Sequence, residues 1–250
     1  MSLALKLALS PLLLAQAVLT RARLPRLPEA AGDREGIAGT GEPAPPLWIV
    51  GDSSAAGVGA ATQEEALAGC LSRELAERSG CTVHWRLCAR SGVTSAQALD
   101  LLEGLPVSGS PAGARDLPAV AVVVTGVNDV VDQVAPARAM AARAALVEAL
   151  RQRAGVHHVV MTPVPPMHLF AGLPQPLRWI AGRDAAAHER ALQRWVASTT
   201  GVSHLSFELA ADDPGLLAAD GFHPGPPLYR IWGAALAEHL IGVAWPRLPR

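Results

Sequence analysis

The chain has 250 residues, half of them hydrophobic, and a mean hydropathy of +0.25, which excludes general disorder and supplies one sizeable core. A formal net charge of −1 gives no electrostatic case for a nucleic-acid partner. Lys6 is the one lysine among 21 basic residues, so a P-loop, a Schiff base and an S-x-x-K hydrolase are excluded.

Residues 3–20 are apolar, interrupted by Lys6 and Pro11. The run is marginal for a spanning helix, which needs about 20 residues. Ala15-Gln16-Ala17 is a candidate cleavage site, and Arg21, Arg23 and Arg26 follow. Three readings of residues 1–23 stay open: an anchor or interfacial helix touching a membrane surface through residues 3–20, a signal peptide, or a helix packed on the domain. They place the chain at a membrane or in the cytoplasm, with export as the alternative. Residues 24–46, rich in Pro, Gly, Ala and charge, read as a linker to a folded domain over residues 47–245.

From there the pattern alternates. Leu47-Trp48-Ile49-Val50 reads as a buried strand ending at Gly51. Thr62 and Glu65 form a capping-box signature ahead of a helix that repeats Leu67, Cys70, Leu71 and Leu75 on one face. Residues 82–87 read as a strand and 95–102 as a short helix. Ala119–Val124 is apolar throughout, as a central parallel strand buried on both faces must be. Pro136 opens a helix carrying Met140, Leu146, Val147 and Leu150 and stopping at Gly155. A strand over residues 158–161, a helix over 185–198 and a fifth strand near 204–207 follow. Residues 228–241 close the chain as a helix with Leu228, Ile231, Trp232, Ala235 and Leu236 inward. Alternating strands and helices argue an α/β sandwich around a parallel sheet, whose sites lie at the carboxyl ends of the strands.

Three segments stand at such ends, and a fourth lies in the loops near the C-terminus. Gly51-Asp52-Ser53-Ser54 follows the first strand, where a serine is either an N-cap or a presented hydroxyl. The glycines beyond it lack P-loop spacing, and no G-x-S-x-G occurs in the chain. Gly92 follows the second strand and by itself is a turn glycine. Thr125-Gly126-Val127-Asn128-Asp129 follows the third, where Asn128 alone is a cap or turn former. Near the end, Asp220 stands three residues before His223, as an orienting partner for the ring or as a structural cap. Cys70, Cys81 and Cys88 form no C-x-x-C pair and read as buried small apolar side chains. His188-Glu189 lacks the second histidine of a zinc helix, and His157-His158 falls at a strand start.

Taken together and in order, Ser53, Gly92, Asn128, Asp220 and His223 resemble the SGNH (GDSL-like) hydrolase family, over residues 47–242. The departures are Ser54 in place of the leucine of G-D-S-L, and Arg90-Ser91 where an asparagine often precedes the glycine. The resemblance implies a flavodoxin-like three-layer α/β/α sandwich with about five strands. It also implies an oxyanion hole made by the backbone N–H groups of Ser53 and Gly92 and the Asn128 amide. Chemistry agrees with the triad: a serine hydroxyl needs a base, histidine exchanges protons near neutrality, and a carboxylate fixes the ring tautomer. Asp52 and Asp129 read as loop-fixing partners, and no cofactor or metal is called for.

The expected function is a cofactor-independent serine hydrolase acting on a small-molecule or lipid ester, an acyl ester or thioester, through an acyl-enzyme. Residues 163–182, with five prolines and Met167, Leu169, Phe170, Leu173, Leu177, Trp179 and Ile180, either border the pocket and take the acyl chain or merely cover helix ends. The alternatives are an O-deacetylase of an acetylated carbohydrate and a non-catalytic, membrane-tethered interaction protein.

Overall fold

The computed structural model describes residues 3–23, 25–105, 117–170, 172–207, 213 and 215–249, with backbone alone for residues 3–8 and Arg21. Leu24, the first residue of the expected linker, lies outside the described residues, as do the side chains of Lys6 and Arg21.

Among the described residues a single six-stranded sheet organises the fold. Its strands are β1 (Glu35–Ala38), β2 (Leu47–Gly51), β3 (Val83–Ala89), β4 (Ala119–Val124), β5 (Val156–Met161) and β6 (Val202–His204), in the spatial order β1-β3-β2-β4-β5-β6. All neighbours run parallel except β1, which pairs antiparallel with β3. Six strands replace the five or so expected, and the sixth is the antiparallel edge. The α/β class and the central place of Ala119–Val124 stand as read.

The reason for the apolar runs is visible in the packing. Along β2, Leu47 and Ile49 enter one buried cluster with Leu67, Leu71, Leu75, Tyr229 and Leu236, which come from α2 (Leu67–Ser79) and α7 (Pro226–His239). Trp48 and Val50 enter the other, with residues of α3 (Ser95–Glu103), α5 (Pro136–Ala154) and α6 (Leu177–Ala197). Alternate side chains leave a strand on opposite faces, so a strand covered on both must be apolar at every position.

Several boundaries differ from expectation. The segment read as a linker contributes β1, where Glu35 lies opposite Arg86 and pairs with it at 2.7 Å. Ahead of it, Ala31 N donates to Ala61 O, and Gln63 donates from its side chain to the Ala30 and Ala56 carbonyls. Short charged edge strands carry little local signal, because a distant partner makes them. Thr62 does not cap α2: it sits in a turn whose carbonyl accepts from Glu65 N and Ala66 N, and the helix begins after Ala66 with no side-chain cap. A capping box forms instead between Thr94 and Gln97, at the start of α3. Helix α6 begins at Leu177, so the proline-rich loop is shorter than residues 163–182 and contains a 3-10 turn, Met167–Leu169. The last strand is Val202–His204. In α7, Ile231 points to solvent at 49% exposure, and Tyr229 takes the inward place, donating to Val58 O at 2.7 Å.

The N-terminal helix α1 (Leu3–Arg23) is tied near the start of α6: the Gln16 side chain donates to Gln175 O at 2.7 Å and accepts from Leu177 N at 3.2 Å. Leu12, Leu14, Val18 and Leu19 are exposed on it. Among the described residues no helix is long and apolar enough to cross a membrane.

Candidate active site

The sheet order brings the ends of β3, β2 and β4 side by side. Three of the sequence segments singled out above therefore meet at one edge. Gly51 closes β2 where a Cβ would lie 2.1 Å from Val124 O, which is why the chain turns there on a residue without a side chain. The turn places Asp52 in the interior and leaves Ser53 and Ser54 half-buried.

His223 arrives from the far end of the sequence, on a turn held by Asp220. Oδ1 of Asp220 accepts from Phe222 N at 2.9 Å and His223 N at 3.0 Å. Oδ2 accepts from His223 Nδ1 at 2.6 Å. With Nδ1 as donor, Nε2 is free to accept, and it lies 2.9 Å from Ser53 Oγ. Ser53, His223 and Asp220 thus form one continuous hydrogen-bonded chain. Burial works to raise the Asp220 carboxyl, but the donors from the His223 ring and from the His223 and Phe222 amides outweigh it and hold it below the usual carboxylate range.

Gly92 sits on the bend after β3 at φ +81°, a left-handed conformation that favours glycine, and a Cβ there would meet nothing within 4 Å. Asn128 lies on α4 (Val127–Val131), and its Nδ2 donates to Val93 O at 3.0 Å. An amide has two N–H bonds, so one is engaged in tying the two loops and one is left over. Ser53 lines the cleft described next, whereas Gly92 and Asn128 do not.

The cleft has an empty volume of about 740 Å³, open mouth included. Beside Ser53 it is walled by Pro163, Pro165, Pro166 and Phe170 of the proline-rich loop, and by Phe222, Leu228 and Trp232 of the C-terminal part. Phe170 and Phe222 pack ring to ring with centroids 4.7 Å apart. The loop after β5 therefore does border the site.

Asp52 and Asp129 act on the backbone, as expected. Asp52 accepts from Ser54 N at 3.1 Å. Its burial pushes its carboxyl up to about 7, partly offset by the Ser54 N–H and by His223. Asp129 accepts from Ser95 N at 3.0 Å and from Arg143 at 3.3 Å. Arg143 was not foreseen. The signal was present: it lies three residues after Met140 and three before Leu146, on the apolar face of α5. The three cysteines are free thiols, two buried and Cys81 half-buried.

The profile of the GDSL-like Lipase/Acylhydrolase family matches residues 49–231. The chain belongs to that family. Among curated proteins it is 32% identical over 203 residues to the GDSL-like esterase Rv1075c of Mycobacterium tuberculosis, a match covering 79% of this chain and 60% of that protein. The chain thus spans 60% of the length of this relative. Among solved structures it is similar to TesA, with a TM-score of 0.58 at 23% identity, covering 78% of this chain and 97% of that one. It is likewise similar to the lipase Lip_vut3 from a goat rumen metagenome, with a TM-score of 0.61 at 18% identity, covering 82% and 99%. These likenesses establish the family's α/β fold for this chain.

Proposed function

We propose that the protein is a serine esterase that hydrolyses carboxylic esters carrying an apolar acyl group, with Ser53 as nucleophile. The observation that supports this most is the chain from Asp220 through His223 to Ser53, with contacts of 2.6 and 2.9 Å. Ser53 Oγ attacks the carbonyl carbon while its proton passes to His223 Nε2. Asp220 holds the ring and stabilises the imidazolium. The carbonyl oxygen becomes an oxyanion, for which the Ser53 and Gly92 N–H groups and the spare Asn128 amide hydrogen are the assigned donors. His223 then returns the proton to the leaving alcohol, and the acyl group stays on Ser53. Water attacks this ester by the same route, giving its proton to His223, and Ser53 leaves with that proton restored.

The apolar acyl group is inferred from the cleft wall: Phe170, Phe222, Leu228 and Trp232 offer contact surface and little hydrogen bonding for a sugar. Acyl esters and acyl thioesters both fit, and acetylated carbohydrate does so less well. A lipid surface as the place of reaction is part of the same reading. It is supported by the exposed apolar residues of α1 and by Lys6, Arg21, Arg23 and Arg26, with no Asp or Glu before Glu29. Co-sedimentation with anionic vesicles, strong for the full chain and lost without residues 3–20, tests that part.

The central test is a fluorophosphonate probe followed by peptide mapping. A label on Ser53, blocked by Ser53→Ala, with turnover of aryl esters rising from acetyl to longer chains, is the expected result. A folded protein that takes no label and cleaves no ester refutes the reading.

A further inference from the structure

Arg143 is 1% exposed, in the middle of α5, among Ala139, Met140, Leu146 and Val147. Two of its nitrogens, Nε and Nη2, are spent on the turn after β4 and the start of α4, while Nη1 lies 4.0 Å from Met140 Sδ on its own helix. Nε donates to Thr125 Oγ1 at 3.2 Å, and Nη2 donates to Thr125 O at 3.0 Å and to Asp129 Oδ2 at 3.3 Å. Asp129 in turn accepts from Ser95 N at 3.0 Å and from Ser95 Oγ at 2.6 Å, at the start of α3. Asn128, next to Asp129, donates to Val93 O. Glu29 Oε1 accepts from Ser91 N at 2.6 Å on the other side of Gly92.

From this geometry we infer that Arg143 is a positioning residue for the oxyanion donors: through Asp129 and Ser95 it locks the start of α4, which carries Asn128, onto the segment after β3, which carries Gly92. The inference rests on the proposed serine esterase and deepens it.

Two features argue that stability is not the reason for this arrangement. A buried ion pair is roughly neutral or worse compared with apolar residues of the same volume, so a methionine in an otherwise apolar stripe would serve the core as well. The loop has also been shaped around the guanidinium. Gly126 has φ +139°, and a Cβ there would lie 2.8 Å from Arg143 Nη2 and 2.8 Å from Val164 Cγ2. Three bonds in a rigid fork determine the orientation of residues 125–129, where an apolar contact would let them slide. Oxyanion donors need that rigidity, because a displacement of about 1 Å costs on the order of 10²-fold in rate.

The experiment compares Arg143→Lys, Arg143→Met and the double variant Arg143→Met with Asp129→Asn against the wild type. The lysine keeps the charge but cannot reach Thr125 O, Thr125 Oγ1 and Asp129 together. The double variant leaves no unpaired charge buried. Folded fraction is measured by chemical denaturation, and kcat and KM on a medium-chain aryl ester are measured on the same samples. Per folded molecule, kcat falls by about 10–100-fold with KM within about twofold, since the donors act on the transition state alone. Fluorophosphonate labelling of the variants slows in parallel with kcat. Variants that fold and keep the wild-type kcat overturn the inference, and so does failure of all three to fold, which would make Arg143 a stability residue. A wild type that neither hydrolyses esters nor labels at Ser53 overturns the esterase reading first, so the two failures are told apart.

Discussion

Replacing Asn128 separates transition-state stabilisation from loop bracing. Its Nδ2 ties Val93 O at 3.0 Å, and the side chain is half-buried. Losing that bond in Asn128→Ala costs about 0.5–1.5 kcal/mol of stability, the net worth of one hydrogen bond. If the second amide hydrogen also meets the oxyanion, the variant loses a donor formed only as charge builds on the carbonyl oxygen. Such a loss costs about 10²–10³ in turnover, or ~3–4 kcal/mol of barrier. The two numbers differ enough to be read apart. Unfolding free energy from urea titration and steady-state kinetics on the same preparation should show a stability change near 1 kcal/mol, kcat down by ~10² or more, and KM nearly constant. Asn128→Asp should be as slow or slower, because a carboxylate faces both Val93 O and the oxyanion with acceptors only. An Asn128→Ala enzyme with near-normal kcat per folded molecule would falsify the assignment and leave Asn128 as a brace.

Ser53→Ala should abolish ester hydrolysis and keep the melting temperature within a few degrees; residual turnover above a few per cent would move the nucleophile elsewhere. The Asp52 carboxyl is pushed up to about 7 by burial. It thus binds a proton in the native state that the unfolded chain has released between about pH 4 and 7, and native stability falls as pH rises through that window. Asp52→Asn keeps the acceptor for Ser54 N and should stabilise the fold at pH 8 by up to about 4 kcal/mol, with the gain vanishing near pH 4. An equal gain at both values would rule out this origin. Phe170→Leu should widen the cleft and shift the kcat/KM ratio of long to short acyl esters by about tenfold, with hydrolysis retained; an unchanged chain-length profile would show that the acyl group lies elsewhere.

What the sequence by itself determined follows from interactions that are local or that repeat. The all-apolar run at Ala119–Val124 forms a strand with those limits because both of its faces are covered. Pro136 and Gly155 bound α5 because one needs no N–H donor at a helix start and the other adopts the left-handed conformation at the end, φ +63°. Ser53 was legible as a hydroxyl at a strand end, and Asp220 with His223 as a pair on a turn near the C-terminus, in a particular order. Their hydrogen-bonded chain was not, since Ser53 and His223 stand 170 residues apart. Edge strand β1 was invisible for the same reason: its four residues, Glu35–Ala38, owe their conformation to Val83–Arg86 across a gap that no periodicity spans. The outward turn of Ile231 and the inward turn of Tyr229 came from the position of α7 on the sheet, because a helix stripe by itself leaves its exact rotation open. Arg143 was decided by tertiary structure above all. A charge on an apolar stripe is tolerated only when folding brings acceptors to it, and its acceptors are set by the path of the chain after β4.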